Sequence, residues 1–129
     1  MGRPLRNRFS RRERQIMDAI YEIGEATTAD VVAQLGEPDA YDSVRVTLAI
    51  LERKGHLRHR QEGNRNVYFP TVSRERAMRS EMQHLVRTFF GGSATEAVLA
   101  FLDQSKHRLT DVELEEIASW IEERREEEA

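Results

Sequence analysis

One stretch in the first half of the chain, residues 42–55, constrains the fold more than any other. It reads DSVRVTLAILERKG. On a helical wheel that turns about 100° per residue, Thr47, Leu48 and Leu51 fall within about 60° of Val44, which predicts a helix buried along one narrow side. A surface helix normally carries Glu and Lys on its other side. Here that side is small, mixed and sparsely charged, and it holds Asp42, Ser43, Val46, Ala49, Ile50 and Arg53, with Arg45 on the flank.

Two interpretations of this outer side are open on these residues alone. A small face edged by Arg45, Arg53 and Lys54 suits insertion into the DNA major groove, where side chains reach the edges of the bases. An amphipathic core helix that happens to carry arginines would have the same composition. The segments on either side favour the first interpretation, because they supply the other parts of a DNA-binding fold.

Capping and helix-breaking residues divide the first part of the chain into three helices. A capping box at residues 10–13 opens a helix that is expected over about residues 11–21. A short second helix is expected to end at residues 36–38, which contain Gly and Pro. The third helix is the stretch described above, and its expected cap is Asp42 or Ser43.

A two-residue periodicity follows the third helix. Residues 56–61 alternate, residues 62–64 have turn chemistry, and residues 65–69 predict a returning strand that ends at Pro70. Three helices and a β-hairpin, in this order, are typical of a winged helix-turn-helix. The hairpin is cationic where a plain, solvated surface hairpin, the alternative interpretation, would mix both signs of charge. Its polar and cationic residues include Arg58, His59, Arg60, Asn64 and Arg65.

Helical periodicity returns from residue 73 onward. Three amphipathic helices are predicted, the last two opened by capping boxes at residues 93–96 and 110–113. Three helices of this size would not form a stable core in a single copy, so we expect a homodimer in which a second copy completes it. The expected dimerisation residues are Met78, Met82, Leu85, Phe89, Phe90, Val98, Phe101, Leu102, Leu114, Ile117, Trp120 and Ile121.

Charge is divided unevenly along the chain. Residues 1–70 hold 12 Lys/Arg and 10 Asp/Glu, a net +2, whereas residues 71–129 hold 8 and 13, a net −5, and together they give −3. Six arginines stand within the first 14 residues. This asymmetry favours a nucleic-acid-binding half joined to a half with another role. We therefore expect a winged-helix domain with a basic arm at 1–71 and a helical dimerisation domain at 72–129.

The composition excludes several classes of protein. The chain has no cysteine, so disulfides and thiolate-bound zinc are excluded. Its longest apolar run, residues 97–102, is far shorter than the roughly 20 residues of a membrane span, so a cytoplasmic protein without membrane insertion is expected. His56 and His59 would lie on opposite faces of a strand, a poor geometry for sharing a metal, and no metal or cofactor is expected. The sequence contains no nucleophile motif and no phosphate-binding glycine loop, so an enzyme is not expected.

Four segments together resemble the penicillinase-repressor family, the BlaI/MecI/CopY regulators, over about residues 9–121. They are FSRRERQIMDAIY, SVRVTLAILERKGHL, the hairpin that ends in NVYFP, and FFGGS followed by a short helix and LTDVELEEI. The resemblance implies a homodimeric winged-helix repressor of transcription that binds a palindromic DNA operator. A winged helix used as a protein-interaction module, without sequence-specific DNA binding, is the alternative function, since fold does not fix function.

The resemblance places the family's major-groove contacts on Arg45 and Val46, with Ser43 at the start of the helix, and the charge and position of other residues extend this set. Base contacts are expected from the third helix, and phosphate contacts from the wing and the N-terminal arm. The base-contacting set is Arg45, Val46, Thr47 and Ala49, with Ser43 at the helix start. The phosphate-contacting set is Arg53, Arg60, Asn64, Arg65, Arg6, Arg8 and Arg11.

Regulation is the third implication of the resemblance. Copper-sensing members of the family use a C-terminal cysteine cluster, which this chain lacks. Antibiotic-responsive members are inactivated by cleavage between an Asn and a Phe in the helix after the Gly-Gly pair. The matching residues here are Ala100 and Phe101, so the Asn is missing. A membrane sensor protease that cuts at this bond is the partner that the resemblance implies.

Overall fold

A computed structural model describes residues 8–128 of the protein. Within that range the chain forms six α-helices and one antiparallel β-hairpin, which confirms the predicted fold class, a winged helix followed by three C-terminal helices. A 3₁₀ turn, Pro38–Ala40, precedes the third helix. The elements are α1 (Arg11–Ile23), α2 (Thr28–Leu35), α3 (Tyr41–Arg53), β1 (Leu57–Glu62), β2 (Arg65–Pro70), α4 (Arg74–Phe89), α5 (Ala94–Ser105) and α6 (Asp111–Glu128).

The chain divides into two compact units, Met1–His84 and Leu85–Ala129. The division falls inside α4, so this helix contributes to both units. The functional boundary expected at residues 71–72, before α4, stays a prediction.

The core of the first unit lies between α1, α2, α3 and the hairpin. The predicted stripe on α3 is confirmed, since Val44, Leu48 and Leu51 are fully buried and Thr47 is half-buried. These side chains meet the apolar faces of the other elements, so the orientation of α3 is fixed by burial. The fully buried large side chains of this unit are Ile16, Ile20, Val31, Val44, Leu48, Leu51 and Leu57.

A third, one-residue strand joins the hairpin to the helices. Ala26 pairs with Tyr68 of β2, donating its N–H to the Tyr68 carbonyl at 3.0 Å and accepting the Tyr68 N–H at 2.8 Å. Both residues are buried. The hairpin is thus anchored through its base, while its turn at Gly63 and Asn64 projects away from this pairing.

The helix caps confirm two of the three predicted capping boxes in full. Reciprocal capping boxes form at Ser10 with Glu13 and at Thr110 with Glu113. At residues 93–96 the Ser93 hydroxyl accepts the Glu96 N–H at 3.1 Å, which is half of the predicted box. The expected cap of α3 is wrong. The helix begins at Tyr41, directly after the 3₁₀ turn, and no side chain caps it. The Ser43 hydroxyl instead donates to the Ala40 carbonyl at 3.0 Å.

Candidate nucleic-acid interface

The outer face of α3 is exposed except at Ile50, which was expected to lie on this side and is half-buried. Ser43, Arg45, Ala49 and Arg53 are all exposed, and Val46 is 49% exposed. Across residues 8–128, neither arginine has an ion-pair partner. The face therefore offers two uncompensated cations flanking small and apolar side chains.

Thr47 was expected to lie on the buried stripe and also to contact bases. It is half-buried, and its hydroxyl donates to the Ser43 carbonyl at 2.9 Å. The donor hydrogen is thus used inside the helix. Thr47 can present an acceptor lone pair and a methyl group, but it has no free donor for a base edge.

The cations of the hairpin fall into two groups. Arg58 and Arg65 are exposed and, in the part of the chain that the structure describes, form no ion pair. Arg60 is also exposed, but its Nη2 lies 2.7 Å from Glu25 Oε2 and 2.9 Å from Glu62 Oε1. Hydrogen bonds with Glu25 and then Glu62 raise the pKa of Arg60, and the bond with Arg60 lowers the pKa of Glu25. Of the wing arginines, Arg60 is the one whose charge is already compensated.

The N-terminal arm is only partly described. Arg8 and Arg11 are exposed, and Arg6 lies outside the described residues. Arg12, at the start of α1, donates to Glu37 Oε2 at 2.9 Å and to Gln15 at 3.2 Å. Among the described residues, Arg8 and Arg11 therefore remain without an ion pair, whereas Glu37, in the loop before α3, compensates the charge of Arg12.

A buried carboxylate links α1 to the end of α3, which sequence reasoning missed. Glu13 is 5% exposed and accepts the Ser10 N–H at 2.8 Å and the Lys54 Nζ at 2.9 Å. Burial by itself raises the pKa of Glu13, but the hydrogen bonds from Lys54 and Ser10 outweigh it and lower the pKa. Lys54 directly follows α3, so this pair fixes the end of α3 against the start of α1.

The second unit has almost no core of its own. Among the described residues of α5 and α6, only Ser105 is buried. Phe101 is 69% exposed, and Phe89, in the part of α4 that belongs to this unit, is 73% exposed. Val98, Leu114, Trp120 and Ile121 are also exposed, whereas Phe90, Leu102 and Ile117 are half-buried. The exposed Leu99 and Val112 extend this apolar surface beyond the residues that the sequence predicted.

A comparison with protein families decides which family the chain belongs to. The model of the family described as penicillinase repressor matches residues 9–123. The chain belongs to the penicillinase repressor family. The match covers both compact units, and it confirms the resemblance that the four sequence segments carried.

Two relatives match most of the chain. A protein named penicillinase repressor, from Bacillus licheniformis, is 25% identical over 113 residues, which are 86% of this chain and 87% of that protein. An uncharacterized 16.5 kDa protein in the ptsI 3′ region of Latilactobacillus sakei is 27% identical over 108 residues, 82% of this chain and 74% of that one. Both matches are longer than either compact unit, so the similarity extends across the two.

The position at which penicillinase repressors are expected to be cut lies inside a helix here. Ala100 and Phe101 are both interior residues of α5, Ala100 half-buried and Phe101 exposed. Cleavage of this bond would require α5 to open locally, because the helical backbone holds its N–H and C=O groups in the helix. Cleavage by a sensor protease stays a prediction.

The described residues were also expected to hold no metal ion and no membrane span. Within the described residues, no group of three or more His, Asp or Glu side chains is placed to hold a metal ion. In the same range, no single helix is long and apolar enough to cross a membrane, and α4 and α5 meet those criteria only when taken together as a sharply bent pair.

Proposed function

We propose that this penicillinase repressor family member is a homodimeric transcriptional repressor that binds a palindromic DNA operator through α3 and the wing. The observation that carries the proposal is the outer face of α3. It combines exposed apolar and small side chains with Arg45 and Arg53, which have no ion-pair partner in the described chain, while Val44, Leu48 and Leu51 on the inner face are fully buried. This combination suits a helix that enters the major groove, where apolar side chains meet base edges and free cations meet phosphates.

Each exposed side chain of α3 has a distinct part in this proposal. Arg45 lies in the second turn of α3 and can donate two hydrogen bonds to the acceptors of a guanine. Val46 and Ala49 offer apolar contact to thymine methyl groups, which are displayed in the major groove. Arg53, at the other end of the helix, lies where a recognition helix approaches the backbone, so it holds phosphate.

The wing and the arm supply further phosphate contacts. Arg65 and Asn64 stand at the turn of the hairpin, and Arg8 and Arg11 stand at the start of α1. All four are exposed. Contacts of this kind set the position of the protein on the duplex without specifying its sequence.

Dimerisation is supported by the apolar side chains that one copy of the chain leaves exposed. More than half of each of the side chains Phe89, Val98 and Phe101 is exposed. Monomeric soluble proteins rarely leave so much large apolar side-chain surface in contact with water. A symmetric dimer that buries them presents two copies of α3, which match the two halves of a palindromic site.

Selection from a random duplex library tests the proposal. The full-length chain should enrich a palindromic sequence and bind it with strong salt dependence. Arg76→Ala serves as the control, because Arg76 is exposed on α4 and lies outside both α3 and the wing. This variant should select the same sequence with the same affinity. If no sequence is enriched and the wild-type chain does not bind duplex even at low salt, the protein-interaction module replaces this proposal.

A further inference from the structure

We propose that Arg60 is a positioning residue that fixes the wing through Glu25, and that it does not hold phosphate itself. This inference rests on the proposed DNA-binding function and deepens it, because it divides the wing arginines into one that sets geometry and others that meet the nucleic acid. It is carried by the contacts of Arg60 and by the way the hairpin is attached to the rest of the sheet.

Arg60 reaches across the sheet to the one-residue third strand. In the hairpin register Arg60 lies opposite Val67, and Tyr68, the next residue of β2, pairs with Ala26. Glu25 directly precedes Ala26, and its Oε2 lies 2.7 Å from Arg60 Nη2. The ion pair therefore joins the two outer strands and passes over the central one.

The stem of Arg60 lies on the same face of the sheet as the buried side chain of Val67. Directly opposed residues of an antiparallel pair share a face of the sheet, so Val67 and Arg60 lie on the same face. Val67 is only 7% exposed, although its strand neighbours Arg65 and Asn66 are exposed. The methylene groups of an arginine stem can cover apolar surface while the guanidinium stays at the ion pair. Arg60 thus contributes both a covering stem and a charged tie.

The ion pair between Arg60 and Glu25 lies in the part of the hairpin that, among the described residues, has no backbone pairing with the third strand. In residues 8–128 the backbone pairing between the hairpin and the third strand is confined to Tyr68. From Arg60 and Val67 outward, the hairpin is held by its own ladder, and the Glu25 contact is the added tie to the rest of the unit. His59, the residue before Arg60, is itself held to Glu52 of α3 at 2.6 Å, so without the Glu25 contact the part of the hairpin beyond His59 would be held by its own ladder alone. Fixing the turn reduces the ordering required when DNA binds.

The carboxylates around the Arg60 guanidinium favour a positioning role over a contact with phosphate. Glu62 Oε1 accepts from Arg60 Nε at 3.0 Å as well as from Nη2 at 2.9 Å, so two carboxylates already bind the guanidinium. A phosphate would have to displace at least one of them. Arg58 is on the same face of the same strand and forms no ion pair with any described residue, so it is the better placed phosphate partner.

The sign of the Glu25→Gln effect on DNA binding tests the proposal. If Arg60 held phosphate, removing Glu25 would free a cation and delete a negative charge, and binding would tighten. If Arg60 positions the wing, Glu25→Gln and Arg60→Gln should each weaken binding to the selected duplex, roughly two- to fivefold as for a surface ion-pair network. The double variant should be no weaker than the weaker single variant, because both remove the same tie.

Two controls make the outcome specific. Asp39→Asn removes an exposed carboxylate that has no ion-pair partner among residues 8–128, and it should leave binding unchanged or slightly tighter. The exchanged pair Glu25→Arg with Arg60→Glu, made together with Glu62→Gln so that no second carboxylate faces position 60, should recover most of the wild-type affinity. Tighter binding by Glu25→Gln would overturn the proposal, and so would a salt slope for Arg60→Gln lowered by about 0.9 per lost phosphate contact.

A measurement without DNA keeps this inference separate from the proposed function. Amide hydrogen exchange of the full chain reports opening of the outer hairpin at Glu62, Arg65 and Val67, whose N–H groups face the partner strand in this register. Exchange there should be roughly two- to fivefold faster in Glu25→Gln and Arg60→Gln and unchanged in Asp39→Asn. Unchanged exchange in both wing variants would overturn the positioning role of Arg60 even if the wild-type chain binds operator. Faster exchange in a chain that binds no DNA would support that role and reject the proposed function.

Discussion

Glu13 shows how a single residue can hold two elements in place. Its carboxylate completes the capping box of α1 and accepts from Lys54 at 2.9 Å, although the two residues are far apart in sequence. The carboxylate is buried, and a buried carboxylate is stable only when its oxygens are hydrogen-bonded. Because Lys54 directly follows α3, the same group that starts α1 also sets the end of the helix proposed to enter DNA.

The lowered pKa of Glu13 predicts a pH dependence of stability. A carboxyl group whose pKa is lower in the folded state stabilises the fold above its unfolded pKa, near 4.5, and that contribution is lost as the pH falls through the folded value. Glu13→Gln should therefore reduce the free energy of unfolding at pH 7 by about 1 kcal/mol. Urea unfolding should show this difference shrinking below about pH 4.5. Glu115→Gln, at an exposed site on α6, is the control, and an equal pH-dependent difference there would contradict the assignment to Glu13.

Arg45 and Arg65 should separate base reading from phosphate holding. Arg45→Ala should weaken binding to the operator much more than to random duplex, because a bidentate contact to guanine provides about 1 to 3 kcal/mol of discrimination. Arg65→Ala should weaken both by a similar factor and lower the salt slope by about 0.9 per lost phosphate contact, or about twice that for a dimer. Competition titrations at several salt concentrations measure both effects. Equal losses for Arg45→Ala on the two duplexes would show that α3 does not read bases through that residue.

At the scale of elements, the sequence predicted what local periodicity encodes. The buried stripe of α3 and the hairpin were predictable, because side-chain spacing alone determines which faces can be buried. The start of α3 was not, because the 3₁₀ turn at Pro38–Ala40 leads directly into the helix, which therefore begins at Tyr41 and leaves Ser43 inside it. The pair between Arg60 and Glu25 depends on a three-stranded arrangement that no local pattern specifies.

The caps of α2 and α3 give a prediction about stability. Thr27 and Asp30 form a reciprocal capping box at α2, whereas Ser43 lies inside α3 and caps nothing. Thr27→Ala should lower the free energy of unfolding by about 1 kcal/mol, the usual loss of a cap. Ser43→Ala should change it by less than about 0.5 kcal/mol. Thermal unfolding of the two variants compares them directly, and a larger loss for Ser43→Ala would restore the cap predicted from the sequence.

At the scale of the whole molecule, the two units differ in how many apolar side chains they bury. The first unit buries seven large side chains below 2% exposure, whereas the helices of the second bury no apolar residue in the described chain. Family membership extends over both units, so the second is as much a part of the repressor as the first. An apolar surface left open on one copy is the expected form of an interface whose other half is an identical copy.

Phe101→Glu tests this assignment, because the side chain is 69% exposed in the single chain. A charge at an exposed position barely changes the stability of a monomer, but a charge in the centre of a dimer interface must be desolvated. We expect the dimer dissociation constant to rise roughly thirtyfold, the effect of about 2 kcal/mol at an interface hot spot. Operator binding should weaken with it, because two half-site contacts that are no longer linked lose their effective concentration. Sedimentation equilibrium measures the first effect and operator titration the second, with Gln104→Glu, an exposed site on the same helix, as the control. If Phe101→Glu remains a dimer at wild-type concentrations while retaining its helical signal, the exposed face of α5 is not where the copies meet.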